Sequence, residues 1–225
     1  MKELQNPTAR RRAGRPSRLS RELVITAALE LLDEMGIEQF SVTKLGKRLD
    51  ATAMSIYTYF PSRDALLEAA ADHLFALFTP PAPEEHWQDY ILAWLVAVTR
   101  HFERFPVSLQ VLAWDEHISA SWLRAWLPAL RALHAQQPDL KRLAVIADWF
   151  LTATIGFIYA HLHGPKRLAP LSENVLELFD SDEREILVGV QRQHANPDEG
   201  YRLEFEFQNI VAGLEVLISS NSGKA

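Results

Sequence analysis

From Ser20 to the C-terminal region, apolar residues recur three and four positions apart, and no convincing run of strand alternation interrupts them. That spacing lays one apolar stripe along each successive helix and predicts an all-α fold. Leu23, Ala27, Leu31 and Met35, with Val24, Ala28 and Leu32 beside them, predict a first helix, and Gly36 stops it. Ser41 is placed to cap a second helix over about 42–49, with Val42, Leu45 and Leu49 on one face. Asp50-Ala51-Thr52 is a tight connection, and Thr52 is placed to cap a third short helix over 53–59. Pro61-Ser62 ends it and opens a fourth over about 63–78. The run from Thr79 to Pro83 is the best internal boundary. Beyond it, helices are expected over about 85–105, 107–114, 119–136, 140–163, 173–194 (with a break near Asp180) and 198–219. Pro106, Pro128, Pro138, Pro165, Pro170 and Pro197 punctuate them, and Pro128 marks a start or a kink within one helix.

Composition narrows the chemistry. The 225 residues contain no cysteine, which removes disulfides, thiolate metal sites and cysteine nucleophiles and suits a reducing compartment. Nine glycines and 12 prolines are too few for a many-turned β-sandwich, and neither GxGxxG nor GxxxxGK[ST] occurs. No apolar run reaches about 18 residues, so no membrane span is expected. No apolar signal segment follows the basic N-terminus, so the expected location is cytoplasmic. The net charge of -6 is unevenly spread. Residues 1–21 carry seven basic side chains against Glu3, whereas residues 76–225 carry 12 basic and 19 acidic ones. A basic tip on an acidic body suits a DNA-contacting module joined to a part that avoids DNA. The expected organisation is a basic flexible arm over 1–19, a helix-turn-helix unit over 20–78 with the fourth helix as connector, and a larger helical body over 79–225.

Positions 41–60 are the informative stretch. Two short helices joined by a tight turn make a helix-turn-helix, with Leu45, Leu49, Ile56 and Phe60 as its apolar interior. With Ile56 and Phe60 inward, the third helix presents Met54, Ser55, Thr58 and the hydroxyls of Tyr57 and Tyr59 outward, as a major-groove helix requires. Ala53 and Ser55 are small enough for close approach, and Thr43, Thr52, Tyr57 and Tyr59 are donors suited to phosphate. Arg63 stands in the first turn of the fourth helix, where a cation opposes the helix dipole at a cost of roughly 0.3–1 kcal/mol; a nearby phosphate would explain it. In the arm, Arg10, Arg11, Arg12 and Arg15 precede Pro16, and such flat, extended segments insert arginine into A·T-rich minor grooves.

Residues 20–70 resemble the TetR family of bacterial repressors. The resemblance rests on a first helix ending in Met-Gly, on Ser-Val-Thr-Lys-Leu, and on Ser-Ile-Tyr-Thr-Tyr-Phe-Pro-Ser-Arg-Asp-Ala-Leu-Leu. It implies Thr43, Tyr57, Tyr59 and Arg63 as phosphate contacts, and Ala53, Met54, Ser55 and Thr58 as the operator-reading surface. Asp50 and Ala51 depart from the family, which commonly has glycine and an aliphatic residue there. Past residue 85 the likeness is one of helical layout, plus the ending Phe205-Glu-Phe-Gln-Asn-Ile-Val-Ala-Gly-Leu-Glu, which looks like the last dimerisation helix of some members.

Six tryptophans lie beyond the proline break and collectively suit an apolar pocket between helices. Trp114, Trp122, Trp126, Phe150 and Phe157 are its candidate lining, and the resemblance implies a small apolar inducer inside it. Leu151 and Ile155 on one late helix, with Phe207, Ile210 and Leu214 on the last, are the candidate homodimer interface, in the manner of a four-helix bundle. His161 and His163 point about 200° apart on a helix and cannot share one metal, and no metal or other cofactor is expected. No paired carboxylate, nucleophile or cofactor motif supports an enzyme. The expected function is a ligand-responsive, sequence-specific DNA-binding regulator, a homodimeric repressor that takes double-stranded operator DNA and is released by a small molecule. The alternatives are a ligand-independent or activating DNA-binding protein and, far behind, an all-α enzyme.

Overall fold

A computed structural model describes residues 19–112, 119–164, 171–194 and 199–220. The described residues form helices and connections with no strand. In chain order the helices are α1 (Arg21–Met35), α2 (Val42–Arg48), α3 (Ala53–Tyr57), α4 (Arg63–Phe75), α5 (Trp87–Arg104), α6 (Ser108–Leu112), α7 (Ala120–Gln136), α8 (Leu140–His163), α9 (Glu173–Leu176), α10 (Ser181–His194) and α11 (Glu199–Ser219).

The helix starts follow from side-chain caps. Ser20, Ser41, Thr52 and Ser62 each accept a hydrogen bond from the backbone N–H three residues on, satisfying a donor that the first helical turn cannot. The break near Asp180 has the same origin. Asp180 Oδ1 accepts from the Glu183 N–H while Glu183 Oε2 accepts from the Asp180 N–H, a reciprocal capping box that starts α10 afresh. Pro128 neither starts nor ends a helix and lies inside α7.

The apolar stripes of α1 to α3 converge on Val24, Leu31, Leu45, Ile56 and Phe60, all buried. α4 continues that core with Leu66, Leu67 and Phe75, then packs on α6 and α7. Two aromatic contacts fix the joint: Phe75 lies 5.1 Å from the Trp122 ring and 6.1 Å from that of Phe102. Asp72 on α4 accepts from the Ser121 N–H at 2.9 Å, so α4 supplies a cap to the first turn of α7. Beyond the joint, α5, α7, α8 and α11 pack on one another.

One helix, α8, is long and apolar enough to cross a membrane by length and composition, where the sequence led us to expect none. Only 28% of its most apolar window is buried inside the subunit. One face, with Leu143, Ile146, Phe150 and Ile158, is core. The opposite face is exposed and also apolar, with Val145, Trp149 and Tyr159.

Candidate functional site

The α2–α3 pair crosses closely because Gly46 has no side chain. A Cβ there would meet the Ala51 carbonyl oxygen at 2.8 Å and the Ala53 nitrogen at 3.4 Å. The Gly46 carbonyl in turn accepts from the Ala51 N–H at 2.9 Å. The turn between the helices needs one left-handed residue, and it is Asp50, at φ +49°. A short polar side chain tolerates this region better than most, though less well than glycine. α2 is held against α1 by Arg48, which donates to Glu34 at 2.7 Å and Glu30 at 3.0 Å. These carboxylates raise the Arg48 pKa further above its ordinary value.

On this frame α3 buries Ile56 and turns Met54, Tyr57 and Thr58 outward. Met54 is 76% exposed, an unusual position for a thioether with nothing to pack on. Ala53 and Ser55 are half-buried beside it, and Thr43 on α2 is exposed. The Thr58 hydroxyl donates to the Met54 carbonyl at 3.2 Å, leaving its oxygen's acceptor capacity outward. A convex, largely uncharged helix of this kind has the shape and donor set for a major groove.

Three residues expected at phosphates are engaged internally. The Tyr59 hydroxyl donates to the Leu19 carbonyl at 2.6 Å, pinning the chain that enters α1, so its donor is already used. The Thr52 hydroxyl caps α3 and also bonds the Ser55 hydroxyl at 2.8 Å. Arg63 donates to the Ile37 carbonyl at 2.9 Å, lies 3.8 Å from Asp64 and sits over the Phe40 ring. The Ile37 carbonyl therefore explains a cation in that first turn without a phosphate. Arg21 is a basic residue here whose role the sequence did not reveal. It spans from the Tyr59 carbonyl to the face of Phe60, tying α1 to the end of α3. Arg10, Arg11, Arg12 and Arg15 lie outside the described residues, as does Trp114.

Residues 24–70 match the family described as "Bacterial regulatory proteins, tetR family". This stretch carries the TetR-family signature. Its head is 38% identical over 78 residues to the tetracycline repressor protein class D of Escherichia coli, a match covering 33% of this chain and 36% of that one. The first curated relatives are thus matched over only about a third of their length. A longer, weaker likeness, 23% over 232 residues, joins it to the transcriptional repressor DrrR1 of Streptomyces coeruleorubidus, covering 94% of this chain and 84% of the relative. Among solved structures, apo ActR from Streptomyces coelicolor shares the fold with a TM-score of 0.70 at 18% identity, covering 93% of this chain and all of that one. ActR has also been solved in complex with actinorhodin.

In the body of the chain, the aromatic residues expected to wall a pocket fill space instead. Trp122, Trp126 and Phe150 are buried; Trp126 lies 5.4 Å from both Trp94 and Phe150, and the Trp94 indole N–H donates to the Ala125 carbonyl. Three large rings closing on a fourth make a solid core. None of these residues lines any of the three cavities described, and Phe157 packs on the core with its ring 5.5 Å from Phe207 and 6.1 Å from His161. The largest of the three holds about 400 Å³ between α5 and α11. His161 pairs with Glu103 at 2.8 Å, whereas His163 stacks on Tyr159, in keeping with their divergence on one helix.

The expected dimer stripe also faces inward. Phe207, Ile210 and Leu214 are buried against α8 and α5, and Leu214 has no exposed surface at all. Leu151 and Ile155 are half-buried on the same core. A residue enclosed by its own subunit has no surface left for a partner. The outward stripes lie one face round: Val145, Trp149 and Tyr159 on α8, and Tyr201, Phe205 and Val216 on α11. The two are continuous, because the Trp149 indole rests on Gly213, where a Cβ would meet the ring at 2.6 Å.

Proposed function

We propose that this chain is a ligand-responsive, sequence-specific DNA-binding transcriptional regulator of the bacterial cytoplasm, a homodimeric repressor that a small molecule releases from its operator. Residues 20–78 serve as the DNA-binding unit with α4 as connector, residues 79–225 as the ligand-binding and dimerisation unit, and residues 1–19 as an arm along the DNA. The observation that carries this reading is the outer face of α3, on which Met54, Tyr57 and Thr58 stand uncovered on a rigidly capped helix. Ala53, Met54, Ser55 and Thr58 read base edges; Thr43 and Tyr57 donate to phosphates, and the arm arginines add sequence-independent attraction. Arg63, Tyr59 and Thr52 act by holding the helices in place, with Arg63 still open enough on one side to meet a phosphate.

The dimer forms through the outward faces of α8 and α11. Exposed apolar side chains in one continuous patch mark an interaction surface, and a twofold axis would bring two copies of each helix together. ActR supports the ligand half of the reading by its complex with actinorhodin, and DrrR1 supports repression by its name.

Binding-site selection on random duplexes tests the reading. The wild type enriches a palindromic consensus. Met54→Ala and Thr58→Ala shift the preferred bases, with about 1–3 kcal/mol lost per good base contact, while Tyr57→Phe weakens all sequences alike. A consensus unchanged in both Met54→Ala and Thr58→Ala refutes α3 as the reading surface.

A further inference from the structure

The cavity between α5 and α11 has a feature that packing does not explain. Thr99 lines it, is only 3% exposed, and its Oγ1 is buried with no hydrogen-bond partner. A buried hydroxyl without a partner is destabilising, so an isosteric valine would serve the fold better. On a helix threonine occupies two χ1 wells, so the hydroxyl can turn toward the cavity without backbone movement. Beside it, Arg100 also lines the cavity and has no ion pair among the described residues. The two carboxylates at the rim are already engaged: Glu103 with His161, and Glu204 with the Gln208 amide. Among the residues lining the cavity, Arg100 is the cation that can meet an anionic group. The remaining floor, Leu92, Val96, Leu203 and Phe207, is apolar.

We propose that this cavity is the effector site, and that its ligand is a carboxylic acid with an apolar body, its carboxylate taking the Thr99 hydroxyl and the Arg100 guanidinium while the body lies on the α5–α11 floor. The inference rests on the ligand-responsive reading above and replaces the aromatic core as the place where the ligand binds. A volume of about 400 Å³ accommodates a small ligand of this kind. The acid holds α5 against α11, and α11 carries the outward stripe that we assign to the partner subunit. Occupancy thus bears on the dimer as well as on the body.

Calorimetric titration of the full-length protein with decanoate, 1-decanol and decylamine tests this, since the three share a tail and differ in head-group charge. Decanoate binds at least tenfold tighter than the other two. Arg100→Gln brings decanoate down to the level of decanol. Thr99→Val weakens decanoate several-fold yet raises the melting midpoint of the unliganded protein, a pairing that a merely structural threonine would not give. Because the chain has no cysteine, Leu92→Cys and Gln208→Cys each carry a single thiol, and decanoate slows maleimide labelling of both at least threefold. The proposal is overturned if none of the three compounds binds, if decanol or decylamine matches decanoate, or if both thiols label at unchanged rates with decanoate bound. If decanoate binds as described but leaves operator affinity unchanged, the site stands and the release mechanism of the preceding section falls.

Discussion

His101 shows what one residue can do at the joint between α4 and α5. Its ring stacks on Phe75 at 5.6 Å and lies 5.3 Å from Phe105, and its Nε2 is buried without a partner. Burial, and then the nearby Arg104 charge, push its pKa down to about 4. In the unfolded chain histidine titrates near 6.5, so between these values the unfolded state binds the extra proton. Stability therefore rises with pH across that window, is complete above about pH 6.5 and is lost as pH falls toward 4, by up to about 3 kcal/mol. Denaturant titrations from pH 4 to 7 should show this slope, and His101→Phe should flatten it; an unchanged slope would mean that another group titrates there. None of this was legible in the sequence, because the rings enclosing His101 arrive from both α4 and α5. The same limit explains Tyr59 and Arg63. Their types suit phosphate, but whether a donor is free depends on a carbonyl 40 or 26 residues away.

At the scale of elements, the turn between α2 and α3 is the most constrained piece of backbone. Asp50 sits in the left-handed region, so Asp50→Gly should stabilise the protein by about 0.5–1 kcal/mol. Gly46→Ala should do the opposite, by about 1–3 kcal/mol, since its methyl would press on the Ala51 carbonyl oxygen. Thermal melts of the two variants check both signs; a destabilised Asp50→Gly would mean that the aspartate side chain does more than tolerate its φ. Sequence alone marked Asp50 as a departure from the family without saying why it matters; its φ supplies the reason. Short elements were legible here because caps are local: Ser41, Thr52 and Ser62 bond three residues away. Facing was less legible. α8 is apolar on two sides, so periodicity could not decide which stripe meets the subunit's own core. On α11 the stripe with the best helical spacing, Phe207, Ile210 and Leu214, was the inward one, as packing favours.

For the whole molecule, two residues two positions apart on α11 separate folding from assembly. Leu214 has no exposed surface, and Val216 is 65% exposed. Leu214→Glu buries an unpaired charge and should unfold the subunit, whereas Val216→Glu should leave a helical protein that has become monomeric. Light scattering after size exclusion, with circular dichroism, distinguishes these; a Val216→Glu protein that stays dimeric removes the outward stripe from the interface. Assembly matters to the proposed function because one α3 would make few base contacts, and a dimer would fix two of them about 34–36 Å apart. The most direct test of the functional reading is therefore the affinity of the wild type for its selected palindrome, compared with the same duplex carrying five extra base pairs between the half-sites. The insertion rotates one half-site by about half a helical turn, so a rigid dimer can engage only one, and affinity should fall about a hundredfold or more. Equal affinity for both duplexes would contradict a dimer that reads DNA through two fixed α3 helices.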